Sequence, residues 1–71
     1  VLAEYTLYET LDGWVAVEAL EPHFRYNFKQ QLGLKSLDKQ SVAEKLKQKR
    51  ATEWVEWANQ YDIPLVEVIK R

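Results

Sequence analysis

Tyr5-Thr6-Leu7-Tyr8-Glu9-Thr10-Leu11-Asp12-Gly13-Trp14-Val15-Ala16-Val17-Glu18-Ala19-Leu20-Glu21-Pro22 is the stretch that decides the fold. Tyr5 to Glu9 is rich in aromatic and β-favouring residues, and Trp14 to Val17 continues in the same manner. Between them stands Asp12-Gly13, the pair favoured by a type I′ turn, whose two central residues need positive φ. Tyr5 to Leu20 therefore reads as a β-hairpin. Along its second arm, Val15, Val17 and Ala19 point to one face, and Trp14, Ala16, Glu18 and Leu20 to the other. Both faces are apolar apart from Glu18, so the hairpin calls for one cover inside this chain and a partial one from outside it.

Outward from the hairpin the period changes to that of helices. Pro22 suits a first helical turn, where its missing N–H costs nothing. Phe24, Phe28 and Leu32 then recur on one helical face, and Gly33 is a natural stop. Ser41-Val42-Ala43-Glu44 has the form of a capping box, with an earlier start near Ser36 or Asp38 also open. That second helix is expected to run to about Arg50. A third is expected from Thr52 as N-cap, carrying Trp54, Trp57, Ala58 and Tyr61 on one stripe. Asp62-Ile63-Pro64 breaks it, and Leu65 to Ile69 reads as a short strand able to join the hairpin. The predicted fold class is α+β: a hairpin plus a C-terminal strand forming a small antiparallel sheet, packed on about three helices. One domain, residues 1–71, accounts for the chain.

Composition narrows the function. The 71 residues are 46% hydrophobic and 13% aromatic, with two Gly and two Pro, which is globular rather than disordered. A domain of this size hides only about 60% of the surface its unfolded chain exposes, so its stability is modest. The absence of cysteine excludes a disulfide framework, a thiolate metal site and a cysteine nucleophile. A secreted domain this small usually needs disulfides, which favours a soluble, cytoplasmic home. No apolar stretch approaches the ~18 residues of a membrane span, and Val1 to Tyr5 lacks the pattern of a signal peptide. With no methionine at its start, the chain reads as an excised piece of a longer protein. Ten basic and 11 acidic residues leave a net charge of −1, which favours neither nucleic acid nor an acidic partner.

The candidate chemical groups are few. Two widely separated glycines make no phosphate loop, and one histidine makes no zinc site. His23 follows Pro22 on a first helical turn; it reads as a half-exposed helix residue rather than a general base. Lys45-Leu46-Lys47-Gln48-Lys49-Arg50 could touch phosphates, but the simpler reading is a solvated face complementing the helix dipole. Trp54, Trp57, Tyr61, Phe24 and Phe28 could stack on bases, although at helical spacing such a stripe is more often core. Glu21 stands between an apolar strand and a Pro-started helix. A carboxylate there either accepts helix amides or is presented to a neighbour.

Taken together, Tyr5-x-x-Tyr8-x-x-x-Asp12-Gly13-Trp14-Val15-Ala16-Val17-x-Ala19-Leu20-Glu21-Pro22-x-Phe24, then Leu32-Gly33-Leu34, resembles the small domain of family III CoA-transferases. It is most similar to the α-methylacyl-CoA racemase and carnitine-dehydratase-like branch. Thr52-Glu53-Trp54 and Asp62 to Val68 resemble that family's helix-then-strand ending. The resemblance implies an interlocked homodimer whose large domain binds coenzyme A. The small domain then closes the active site of the partner subunit's large domain. Partners would be the large CoA-binding domain of the parent chain and its dimer mate, with no nucleic acid and no membrane. A coenzyme A thioester would be the parent's substrate, with no cofactor bound by this piece, which alone would be monomeric and inactive. The only catalytic position carried over is Glu21, reaching toward a histidine of the large domain, where a carboxylate would hold the imidazole's charged form and orientation. In racemisation that histidine and an aspartate would exchange the α-proton on opposite faces of a thioester enolate. Glu18 departs from a usual glycine, and Glu9 from a common arginine. The rival classes are a protein-interaction module and a weak nucleic-acid-binding module using Lys45 to Arg50.

Overall fold

The structure, a computed structural model, describes residues 2–69; Val1, Lys70 and Arg71, which belong to the expected 1–71 domain, lie outside the described residues. The elements run β1 (Tyr5–Glu9), β2 (Trp14–Glu18), α1 (Pro22–Leu32), α2 (Lys39–Leu46), α3 (Ala51–Gln60) and β3 (Leu65–Val68). The strands form one antiparallel sheet in the order β1-β2-β3, so the hairpin gains its third member from the C-terminal strand. Leu7, Ala16 and Val66 lie side by side across it, as do Glu9, Trp14 and Val68. The fold is α+β, as the change of hydrophobic period predicts.

One side of the sheet is sealed. Val15 and Val17 are 0% and 1% exposed, and Tyr8, Ala19 and Leu65 are buried with them. Phe28 and Leu32 of α1, Val42 and Leu46 of α2, and Trp54 and Ala58 of α3 cover that side and complete one core. Each helix thus contributes residues three or four positions apart, the stripe that a 3.6-residue period places on one face. Trp54 and Trp57 meet edge to face with ring centroids 5.0 Å apart, and Trp57 meets Phe28 and Tyr61 in the same manner. The aromatic stripe is core, with Trp57 and Tyr61 at its half-buried margin.

Helix boundaries follow local chemistry. Pro22 opens α1, and Gly33, at φ 72°, closes it with its N–H on the Gln30 carbonyl. Gly33 is in the left-handed region that a side chain disfavours. Asp38, one of the open choices, is the N-cap of α2: its carboxylate accepts from the Ser41 N–H at 2.9 Å and from the Ser41 hydroxyl at 2.9 Å. Those bonds, the backbone N–H first, hold the Asp38 carboxyl below its ordinary range.

Three expectations need correction. α2 ends at Leu46, not near Arg50, because Lys47 to Lys49 turn and Arg50 already belongs to the next helix. α3 begins at Ala51, so Thr52 is not its N-cap. Instead Glu53 accepts from the Arg50 N–H at 3.1 Å, which with the Arg50 side chain lowers the Glu53 pKa. The hairpin turn is not type I′ at Asp12-Gly13, since among the described residues positive φ occurs only at Gly33 and Asp62. The tip is Leu11-Asp12, closed by Thr10: its N–H donates to the Gly13 carbonyl at 2.8 Å, and its hydroxyl accepts from the Gly13 N–H at 3.0 Å.

The cause of the altered turn is tertiary. The Leu11 N–H donates to the Lys49 carbonyl at 2.9 Å, and Asp12 Oδ1 accepts from the Ala51 N–H at 2.9 Å. Asp12 therefore satisfies an amide of the first turn of α3 from across the molecule. A second tie lies beneath it: Trp54 Nε1 donates to the Leu46 carbonyl at 2.9 Å, taking up a free carbonyl at the end of α2.

Candidate functional site

Glu21 occupies the corner where β2 becomes α1. The chain arrives at it through buried Ala19, whose N–H donates to the Glu4 carbonyl at 2.7 Å. It leaves through Pro22, which fixes the first helical φ. Both sides of the corner are thus held by the backbone. Glu21 itself has extended backbone (φ −69°, ψ 145°) and is the N-cap residue of α1, its carbonyl accepting from the Arg25 N–H at 2.9 Å. Its side chain makes no cap hydrogen bond, so it does not serve the helix amides as a capping carboxylate does. Leu20, Glu21, Pro22 and His23 are all exposed, and the corner projects into solvent.

A network missed by the sequence reading braces this corner. Glu4 is only 7% exposed, and its Oε2 accepts from Arg25 Nη1 at 3.3 Å. Next to it, Tyr8 donates its hydroxyl to the Ala3 carbonyl at 2.6 Å in a buried setting. Burial, and then the negative charges of Glu4 and Asp38, push the Tyr8 phenol up to about 12. Tyr8 is therefore a neutral strut, and Glu4 a buried anchor for the first turns of α1. Glu21 and Arg25 stand four apart on α1, the spacing of a helical ion pair. Arg25 instead turns to Glu4, 21 residues back along the chain, and Glu21 has no ion-pair partner among the described residues.

The other candidates fall into structural roles. His23 is exposed, with its ring 3.9 Å centroid to centroid from Phe24. In the basic run, Lys47 lies 3.8 Å from Glu9 and Arg50 3.2 Å from Glu53, and Lys49 sits 5.1 Å over the Trp54 ring. Each of those three cations thus has an acidic or aromatic neighbour within the fold. Among the described residues no group of three or more His, Cys, Asp or Glu is placed to hold a metal ion. No helix among them is long and apolar enough to cross a membrane. No family model matches the chain, and no curated protein matches it.

Proposed function

We propose that this domain is the small, site-closing domain of a cytoplasmic acyl-CoA-processing enzyme of the family III CoA-transferase type. In that reading Glu21 reaches a histidine of the partner subunit's large domain, and the substrate is a coenzyme A thioester bound by the large domain. The observation that supports it is the state of Glu21: a fixed, projecting corner carries a carboxyl that its own helix does not use. Beside it Leu20 is 44% exposed, so the corner offers a neighbour an apolar contact together with an acid. A carboxylate so presented favours an adjacent imidazolium and orients the ring. The histidine can then take or return the α-proton while a second base serves the opposite face of the enolate. This domain, lacking the histidine's site, has no turnover of its own.

The test uses the polypeptide in which this domain is joined to its large domain. With a 2-methylacyl-CoA in deuterated water, deuterium enters the α-position in the wild type, and the rate falls sharply in Glu21→Gln. Exchange that is equal in both proteins overturns the role of Glu21. Absence of exchange in both, with CoA passing to an added carboxylate, identifies the reaction as CoA transfer.

A further inference from the structure

The Glu21 side chain makes no cap hydrogen bond and has no ion-pair partner among the described residues. Its carboxyl is therefore placed by the backbone of the corner alone, and whatever fixes that backbone fixes the acid. One residue outside the corner reaches both of its arms. On the strand side the Glu4 carbonyl accepts from the Ala19 N–H at 2.7 Å, and on the helix side Glu4 Oε2 accepts from Arg25 Nη1 at 3.3 Å. Glu4 is itself well seated. The Tyr5 N–H donates to the Leu2 carbonyl at 3.1 Å, closing a turn around Ala3 and Glu4, and the Tyr8 hydroxyl donates to the Ala3 carbonyl at 2.6 Å.

We propose that Glu4 is a positioning residue for Glu21: by holding Arg25, its buried carboxylate fixes the first turn of α1 and with it the place from which Glu21 is presented. The inference rests on the reading of Glu21 as the acid offered to a histidine of the partner subunit's large domain.

The asymmetry of the pair gives the carboxylate this role. The Glu4 side chain is 9% exposed and that of Arg25 46%. A buried carboxylate needs a partner, so Glu4 holds the guanidinium and the helix end that carries it. Two fully exposed partners would exert far less hold. Without the acid, Arg25 is left to solvent, so loss of the Glu4 charge frees the first turn of α1 and strands no buried charge. The bond from the Ala19 N–H is made to the main chain of Glu4 and does not depend on its side chain. Only the helix arm of the corner therefore answers to a substitution at this position.

The test compares Glu4→Met, which keeps the length of the side chain without its charge, with Glu4→Gln, whose amide oxygen can accept the same bond. The first measurement is made on the 71-residue chain labelled with nitrogen-15. Glu4→Met is expected to lower the backbone order parameters of Glu21, His23 and Arg25 from the rigid value of about 0.85, while those of Val15 and Val17 are unchanged. Glu4→Gln keeps most of that rigidity. The second measurement uses the polypeptide that joins this domain to its large domain. At saturating 2-methylacyl-CoA, deuterium exchange at the α-position is expected to fall about 10-fold in Glu4→Met with KM unchanged, since a small misplacement of an acting group costs rate. Glu4→Gln recovers most of it. In a Glu21→Gln background Glu4→Met adds nothing further, because the two residues act as a unit. Wild-type rates in Glu4→Met, losses that multiply in the double variant, unchanged order at the corner, or loss of order throughout the chain overturn the role of Glu4 and leave that of Glu21 standing. Wild-type exchange in Glu21→Gln, or none in the wild type, instead overturns the reading on which the inference rests, and the inference with it.

Discussion

The two sides of the sheet differ little in composition and greatly in fate. Leu65 and Val66 are neighbours on β3, yet Leu65 is 4% exposed and Val66 55%. On β2, Val15 and Val17 are sealed while Ala16 between them is only partly covered. Period-two alternation explains why neighbours part company, but not which set is covered. That is decided by the helices: α1, α2 and α3 each carry an apolar stripe, and all three close on the Val15-Val17-Leu65 side. The lesson is that hydrophobicity in a strand marks a surface to be covered, while its partner must be sought elsewhere.

The largest effect that tests this contrast comes from truncating those neighbours. Leu65→Ala removes a core side chain and is expected to cost about 2–5 kcal/mol, enough to unfold much of so small a domain. Val66→Ala, on the open side, is expected to cost no more than about 0.5 kcal/mol. Urea midpoints of the two variants at unchanged slope check the prediction. Similar losses for both would mean that the outer side is already covered.

Next is the pH dependence of the sealed side. Tyr8 titrates at about 12 in the folded chain against an ordinary 10.0, so the folded state holds its proton more tightly than the unfolded one. That contribution is fully present below pH 10 and is lost as pH rises through 12. The melting temperature is expected to fall across that window, and less steeply in Tyr8→Phe. Absorbance near the phenolate band should show one of the four tyrosines titrating late. On the acid side the depressed Asp38 and Glu53 act in the opposite sense. Their contributions are present above their ordinary values, 3.8 and 4.5, and are lost as pH falls below them.

Smaller still is the tie from the hairpin tip to α3. Asp12→Ala removes the acceptor of the Ala51 N–H and is expected to cost about 1 kcal/mol, as loss of an N-cap does. Asp12→Asn should recover most of it, since the amide oxygen can accept the same bond. A loss equal to that of a core truncation would show that the tip holds the sheet and helices together.

Much of this architecture was legible because its determinants are local. Pro22 and Gly33 bracket α1 as their backbone preferences require, and β2 divides as its alternation predicts. What escaped were contacts made across the sequence. Asp12-Gly13 has the composition of a I′ turn, but Asp12 is committed to Ala51, 39 residues on, and Leu11 to Lys49. Those bonds fix both the turn and the break between α2 and α3, so one long-range cause produced two local errors. At the candidate site the corner itself could be read from Glu21-Pro22. The idle Glu21 carboxyl could not, because it depends on Arg25 choosing the buried Glu4 over its own helical neighbour.

The smallest predicted effect separates the two glycines, and it tests the corrected turn directly. A Cβ at either position would meet nothing within 4 Å, so crowding does not distinguish them. Conformation does. Gly33 holds φ 72°, whereas Gly13 lies outside the left-handed region. Gly33→Ala is expected to cost about 1 kcal/mol, the penalty of placing a side chain in the left-handed region. Gly13→Ala is expected to stay within about 0.5 kcal/mol, and to gain slightly where the unfolded chain loses more freedom than the folded one. A type I′ turn at Asp12-Gly13 would remove that difference, because Gly13 would then need positive φ as well. Equal losses in the two variants, measured by thermal unfolding, would return the hairpin to its local preference and detach its shape from the Asp12–Ala51 bond.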